Sequence, residues 1–325
     1  FYAECVLNQL QVLTKTLPKS TSHKLIQLVI PAVSSSLSLE ALSSFLQSVA
    51  LEYPWLSFQV ISLDTTSDIN SIASQLKTSA SEPQRPCWRY VGNEAEVKSW
   101  RSIGFIRPDE VSVKPWQSGG IYLITGGAGA LGKSLAAEIS VNIDAGKVIL
   151  VGSSEMNSAL REWIFVTSSE RLEIIYRQVD VSDANQVHDL VKSIYRDYGQ
   201  INGVFHLAGV LQDSSIAVKS LEELRKVFNP KVNGVENLDR AIGNSPLDFF
   251  VMFASLSGVF GNHGQADYAA ANAYLDIFAH RREIARKQGK RFGRTLSIDW
   301  PLWVDGGMKM DPATQKFMKQ STGLT

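Results

Sequence analysis

Residues 121–139 leave the chain few choices of fold. Ile121-Tyr-Leu-Ile-Thr125 is a short apolar run of strand character, Gly126-Gly-Ala-Gly129-Ala-Leu-Gly132 follows at once, and Leu135, Ala136 and Ile139 then recur at helical spacing. A strand that passes through a glycine turn straight into a helix opens a βα unit. Within it Gly127, Gly129 and Gly132 make G-x-G-x-x-G, which permits a tight turn, lets backbone approach a pyrophosphate and sets helix N–H groups behind it. In another context the pattern is only a glycine-rich turn. Between strand and helix it predicts a dinucleotide site.

The same rhythm continues downstream. Lys147-Val-Ile-Leu-Val151 reads as a second strand ending at Gly152-Ser153-Ser154, about 20 residues beyond the turn, where an acidic side chain would grip a ribose 2′-hydroxyl. None is present, so nothing repels a 2′-phosphate, and the hydroxyls of Ser153 and Ser154 can donate to one. NADPH is therefore expected ahead of NADH. A strand from Leu172 to Val179 ends at Asp180, a helix carries Val187, Leu190, Val191, Ile194 and Tyr198 on one face, and Gly203 to Gly209 reads as a further strand. Repeated βα units imply an α/β fold with a doubly wound parallel sheet. Leu221, Leu224, Val227 and Phe228 form a helical face that ends before Pro230, and Lys231 opens a second helix carrying Val232, Val235 and Leu238.

Before residue 116 the pattern is similar but lacks a glycine fingerprint. Leu25 to Ile30 reads as a strand, Leu39, Leu42, Phe45, Leu46 and Val49 as one helical face with Glu40 in its first turn, and Phe58 to Leu63 as a strand. Ile69, Ile72, Ala73 and Leu76 fall on one face of another helix, short strands are expected between Cys87 and Trp100, and Arg107 to Gly120 reads as a connector rich in turn formers. The expected division is a structural subdomain, 1–115, and a catalytic subdomain, 116–325.

Chemistry concentrates between Val251 and Asp276, where an apolar strand runs through a Gly-rich turn into an Ala-rich helix. Ser255 falls at the carboxyl end of the strand, where open α/β sheets hold ligands, and Tyr268 and Asn272, four apart, share a helix face. Singly, these would read as a strand-end cap, a packed aromatic and a polar helix residue, and Lys231 as a solvated lysine. Together with a cofactor turn they read as a carbonyl-handling site.

Composition excludes several alternatives. The chain has 325 residues, formal net charge zero and no Lys/Arg run, which argues against nucleic acid or an anionic membrane as a partner. No apolar run reaches the roughly 18 residues of a membrane span. Cys5 and Cys87 lie outside any zinc-ligand spacing, so no metal site or disulfide framework is expected, and free thiols suit the cytoplasm. The chain begins Phe-Tyr-Ala-Glu-Cys with neither Met nor a signal pattern, and a segment of a longer polypeptide is expected.

Thr125-Gly-Gly-x-Gly-x-Leu-Gly132, His206-Leu-Ala-Gly209, Pro230-Lys231-Val-x-Gly234 and Ser255…Tyr268-Ala-Ala-Ala-Asn272 together resemble the ketoreductase domain of modular polyketide synthases, within the short-chain dehydrogenase/reductase superfamily. The similarity runs from about Trp116 to Met310, and residues 1–115 are compatible with the family's truncated Rossmann-like structural subdomain. The resemblance implies NADPH-dependent reduction of a β-keto acyl thioester carried on the phosphopantetheine arm of an acyl carrier protein, with neighbouring domains of a megaenzyme as partners. It implies Tyr268 as general acid, Lys231 as the cation that lowers the tyrosine's pKa, Ser255 as the group orienting the substrate oxygen, and Asn272 as holder of Lys231 and a water. Thr125, Gly126, Gly127, Gly129, Ala130, Leu131, Gly132, Ser153, Ser154, Asp180, Val181, Ala208 and Gly209 would contact the cofactor. His206 is expected to be structural, and His263 to meet solvent.

Family patterns also bear on stereochemistry. Leu211-Gln212-Asp213 keeps the last Asp of the Leu-Asp-Asp associated with D-hydroxyl (B-type) products, Phe260 stands where L-type domains carry Trp, and Ala270 replaces the Pro of epimerising domains. A D-hydroxyl without epimerisation is the expected product, with Trp303 and Trp300 along the substrate cleft or packed in its wall. Ser297 to Met308 is similar to ketoreductases of synthases whose acyltransferase is supplied separately. A free-standing reductase of a small carbonyl compound and a non-catalytic cofactor-binding scaffold are the alternative readings.

Overall fold

The structure, a computed structural model, describes residues 2–16, 23–92, 94–99, 101, 102, 104 and 115–303. The expected connector at 107–114, Trp100 and the part of the terminal motif beyond Trp303 lie outside the described residues.

The larger sheet is built from β5 (Gly120–Thr125), β6 (Gly146–Gly152), β7 (Leu172–Gln178), β8 (Gly203–His206), β9 (Phe249–Ser255) and β10 (Arg294–Trp300). Its order is β10-β9-β8-β5-β6-β7 and every pairing is parallel. The chain winds outward from β5 to β7, crosses back, and winds the other way from β8 to β10. The reversal falls between β5 and β8, so the connections leaving their paired carboxyl ends diverge and open the crevice where doubly wound sheets take ligands. Central strands are buried on both faces, as their continuous apolar runs predict: Tyr122, Leu123 and Ile124 in β5 and Val148, Ile149, Leu150 and Val151 in β6 lie in two cores on opposite faces of the sheet.

The smaller sheet comprises β1 (Lys24–Pro31), β2 (Leu56–Leu63), β3 (Cys87–Val91) and β4 (Glu94–Val97), with the first three parallel and β4 antiparallel at the edge. Its helices are α1 (Tyr2–Thr16), α2 (Leu42–Glu52) and α3 (Ile69–Ala80). The first of these escaped the sequence reading, although Ala3, Leu7 and Leu10 mark its buried face. Glu40 lies in a 3₁₀ segment, Ser34–Ala41, ahead of α2 rather than in that helix's first turn, and its carboxylate meets the Arg89 guanidinium at 2.6 Å. The expected face of α3 is displaced: Ile69 is 84% exposed, while Gln75 and Ser79 are buried. Both bond backbone there, Gln75 donating to the Gly92 carbonyl and Ser79 to the Gln75 carbonyl, though Gln75 Oε1 is buried without a partner.

The remaining helices are α4 (Ala130–Asn142), α5 (Ser158–Thr167), α6 (Ala184–Tyr198), α7 (Leu221–Phe228), α8 (Gly234–Ile242), α9 (Ser257–Phe260) and α10 (Ala266–Lys287). Helix α10 is the longest and packs against both layers of the molecule. One side lies on β9 and β10; another receives α2 of the smaller sheet. Ala266, Ala269, Ala270, Ala271 and Ala273 are buried there, and their small side chains let the neighbouring elements come close. Ala266 and Ala270, with Ile216 and Leu224, share one apolar core with Leu7, Phe45, Leu46, Val49 and Phe58. The two sheets are thus joined through a common hydrophobic cluster.

Candidate active site

The glycine turn sits on the crevice. Gly126 has φ +67°, and a Cβ there would lie 2.8 Å from the carbonyl carbon of Leu207, so only glycine lets the ends of β5 and β8 approach so closely. Helix α4 starts at Gly129 with no side-chain cap, and its first residues, Ala130, Leu131 and Gly132, line the cleft beyond it. An uncapped helix start with open backbone N–H groups is a fitting cradle for a dinucleotide's phosphates. Thr125 and Gly127 brace the turn from behind: Thr125 Oγ1 is 2.8 Å from His206 Nδ1 and accepts the Ala208 N–H at 3.3 Å. His206 is fully buried, and loss of solvent pushes its imidazole down to about 3, so it is neutral and structural, as expected.

The cleft has a volume of about 500 Å³. Of the expected cofactor residues, Gly126, Gly129, Ala130, Leu131, Gly132, Ser153, Ser154, Asp180, Val181, Ala208 and Gly209 line it, as do Lys231, Ser255, Tyr268, Phe260 and Trp303. Asn272 lies one helical turn behind Tyr268, and Asp213 on the exposed loop that flanks the cleft. Tyr176 was missed by sequence reasoning. Its hydroxyl donates to the Ser154 carbonyl at 2.6 Å, so it borders the floor beneath Ser153 and Ser154. The contact arises from the pairing of β6 with β7, which no local pattern displays.

Tyr268 is the third residue of α10 and is 7% exposed. Burial raises its hydroxyl above the usual tyrosine range, hydrogen bonding with Asn272 and Ser255 pulls it back, and the charge of Asp213 raises it further. Ser255 is held in turn by Ser257, whose N–H and hydroxyl both reach Ser255 Oγ, at 3.2 and 3.0 Å. With both acceptor positions of that oxygen engaged, its own proton is the one it has to give. Ser257, two residues along in α9, is a second participant that the sequence reading passed over.

The Pro230 boundary takes an unexpected form. Helix α7 ends at Phe228, before the proline as expected, but the next helix, α8, opens at Gly234 rather than at Lys231. A π-helical segment, Asn229–Asn233, carries the chain continuously from α7 into α8, with the Gly234 N–H donating to the Asn229 carbonyl five residues back. Proline supplies no N–H and crowds the carbonyl four residues earlier, and the wider π turn accommodates both. It turns Lys231 inward, where the side chain is buried and its Nζ donates to the Phe253 carbonyl at 2.9 Å. Nζ also sits 5.6 Å from the Tyr268 ring centroid. Burial pushes this lysine down to about 8 against the attraction of Asp276.

Asn272 Nδ2 donates to the Tyr268 carbonyl at 2.8 Å, while its Oδ1 is buried without a partner. The expected hold on Lys231 is therefore not a direct bond: lysine and asparagine each bind backbone. His263 is exposed, in line with expectation. Phe260 stands 61% exposed on the lip, and Trp303 packs edge-on against Trp300 at 5.0 Å, so both tryptophans border the cleft. Among the described residues no His/Cys/Asp/Glu group could hold a metal, and no helix is long and apolar enough to cross a membrane.

A six-stranded parallel sheet with a glycine turn at its switch point, and Ser, Tyr and Lys converging beside it, defines an oxidoreductase of the short-chain dehydrogenase/reductase class. Residues 120–305 match the model of the KR domain. The chain is 36% identical to polyketide synthase PksL of Bacillus subtilis (strain 168) over 94% of its length, and 36% identical to polyketide synthase PksN of the same organism over 99%. It spans only 7% and 6% of those synthases. Among solved structures, a ketoreductase domain from the bacillaene assembly line superposes with TM-score 0.93 at 34% identity, covering 100% of this chain and 76% of that one. An N-terminal ketoreductase from the macrolactin assembly line gives TM-score 0.78 at 29% identity, covering 93% of this chain and 60% of that one. The chain belongs to the KR-domain family, the ketoreductases of polyketide synthases. Membership implies a nicotinamide cofactor, which the uncapped α4 start and the Gly126 turn are built to receive.

Proposed function

We propose that this domain reduces a β-keto acyl thioester, presented on the phosphopantetheine arm of an acyl carrier protein, to the D-β-hydroxy thioester with NADPH and without epimerisation. The observation that carries the reading is the convergence of Ser255, Tyr268 and Lys231 beside the glycine turn in one cleft. When bound, the nicotinamide supplies the hydride. Ser255, its acceptor positions taken by Ser257, donates its proton toward the substrate oxygen and orients the carbonyl. Tyr268 gives up its proton as the oxygen gains charge, and the Lys231 ammonium beside its ring favours the phenolate left behind. Asn272 contributes from the next turn through the hydrogen bond it shares with Tyr268, and its open Oδ1 suits a relay of protons toward Lys231.

NADPH is favoured by the lack of a carboxylate at Ser153 and Ser154, both exposed where β6 ends. Asp213 beside Tyr268, Phe260 in place of Trp and Ala270 in place of Pro support the stereochemical reading. Residues 1–115 would be the structural unit and 116–325 the catalytic one, acting in the cytoplasm beside other domains of a synthase whose acyltransferase acts separately. The test is turnover of a synthetic β-keto thioester, followed by NADPH and NADH absorbance and by chiral analysis. The wild-type chain is expected to oxidise NADPH faster and to give the D product. Tyr268→Phe should retain the fold and lose turnover by about 10²–10⁴-fold, the usual worth of a positioned acid. Undiminished turnover would reject Tyr268 as the acid.

A further inference from the structure

Lys219 and Asp267 form an ion pair that the chemistry above does not use. Their side chains are 0% and 1% exposed, and Lys219 Nζ lies 2.7 Å from Asp267 Oδ2. Neither lines the cleft. Taking two charges out of water is expensive, and an apolar pair of similar volume is often as stable, so such a pair is better explained by the geometry it imposes than by the stability it adds.

That geometry is specific. The other carboxylate oxygen of Asp267 accepts the Tyr268 N–H at 2.9 Å, and the same Lys219 ammonium donates to the Gln212 carbonyl at 2.7 Å. One buried cation thus grips both the first turn of α10 and the loop carrying Leu211 and Asp213. Gln265 repeats the link on the cleft side by donating to Asp213 at 2.9 Å, and Ser214 N–H donates to the Gly264 carbonyl at 3.0 Å. The smaller sheet's helices reach the same junction. Glu52 of α2 accepts the Ile216 N–H at 2.8 Å and the Gly264 N–H at 3.3 Å, and Gln11 of α1 donates to the Ile216 and Lys219 carbonyls at 2.9 and 2.8 Å.

We propose that the Lys219–Asp267 pair is a positioning device that locks loop 211–219 to the start of α10 and thereby fixes which face of the substrate ketone meets Tyr268. This rests on the reductase reading above. Leu211 packs against the cluster of Val227, Tyr268 and Ala271, and both Leu211 and Tyr268 line the cleft, so slack at this junction lets the ketone present either face to Tyr268.

Lys219→Met combined with Asp267→Asn removes both charges at similar volume and leaves an oxygen for the Tyr268 N–H. With the synthetic β-keto thioester, this double variant is expected to bind NADPH within about twofold of wild type. Its kcat should fall by about 10–100-fold, the cost of misplacing reacting groups by an ångström. KM should change less, and the D:L ratio of the product should drop towards unity. Gln11→Ala, which touches only the loop's carbonyls, should erode the ratio in the same direction while leaving the fold intact, and it stands as the test if the double variant does not fold. An unchanged D:L ratio and kcat in a folded variant, with only Tm lowered, would overturn the proposal. Hydrogen exchange separates the two readings: protection of the Ser214, Ile216 and Tyr268 amides should fall together in the variant even if no turnover is found, and independent exchange would sink the coupling whatever the reaction.

Discussion

Lys231 holds an ammonium on a residue only 3% exposed, and the consequences are measurable. With its pKa near 8, the side chain is charged below that pH and neutral above it. If the cation supports Tyr268, kcat/KM for reduction should show an alkaline limb near pH 8, and Lys231→Met should be slow at every pH. Stability runs in the opposite direction. From about pH 8 to the unfolded value near 10.4 the native chain has released this proton while the unfolded chain keeps it, so folding is favoured increasingly as pH rises. The Tm of wild type relative to Lys231→Met should therefore climb through that window, and a flat difference would contradict the burial. At this scale the sequence was most readable where spacing is the message: Tyr268 and Asn272 four apart, Ser255 at a strand end, a glycine pattern between strand and helix. Ser257 and Tyr176 were not readable, because their parts depend on a hydroxyl meeting a neighbour's lone pair and on two strands lying side by side.

The segment around Pro230 shows why elements are harder to delimit than to detect. Proline usually ends a helix, and the rule predicts two helices; here a single π turn satisfies the same steric demand without a break. Lys231 lies within that turn, with its Nζ 5.6 Å from the Tyr268 ring centroid. Pro230→Ala restores an N–H and relieves the crowding, which favours regular α geometry. The variant is expected to be at least as stable to heat as wild type yet to lose about tenfold or more in kcat as Lys231 rotates away from the ring. Equal kcat would show that the π turn is incidental. The misjudged face of α3 has a different cause. Its apolar residues mark a stripe, but Gln75 and Ser79 find backbone and side-chain partners under the sheet, and a hydrogen-bonded polar residue can take a core position that hydropathy assigns elsewhere. Helix α1 was passed over although Ala3, Leu7 and Leu10 are buried at helical spacing and Val6 and Leu13 pack against the same core.

At the scale of the molecule, the strand–helix alternation conveyed two α/β units, the doubly wound order of the second and the lack of a cofactor turn in the first. What it could not convey is that they share a core, since Phe45 and Ala270 are brought together only by folding. Phe45 is fully buried in that cluster, and Phe45→Ala should cost about 3–5 kcal/mol. Because the cluster belongs to both sheets, urea unfolding of wild type and variant, followed by tryptophan fluorescence and far-UV circular dichroism, should give one coincident transition. Two separate transitions would mean that the sheets fold independently. Helix α10 lies at the centre of this arrangement, with Tyr268 near its start and Ala266 and Ala270 turned to the smaller sheet. A recombination joint placed between the sheets would pair one parent's Tyr268 helix with another parent's bedding for it, even though the family model covers only residues 120–305. On the proposal that the Lys219–Asp267 junction sets the presented face, the heritable unit of specificity begins as far back as Gln11, and a chimera that respects that seam should transmit the donor's stereochemistry intact.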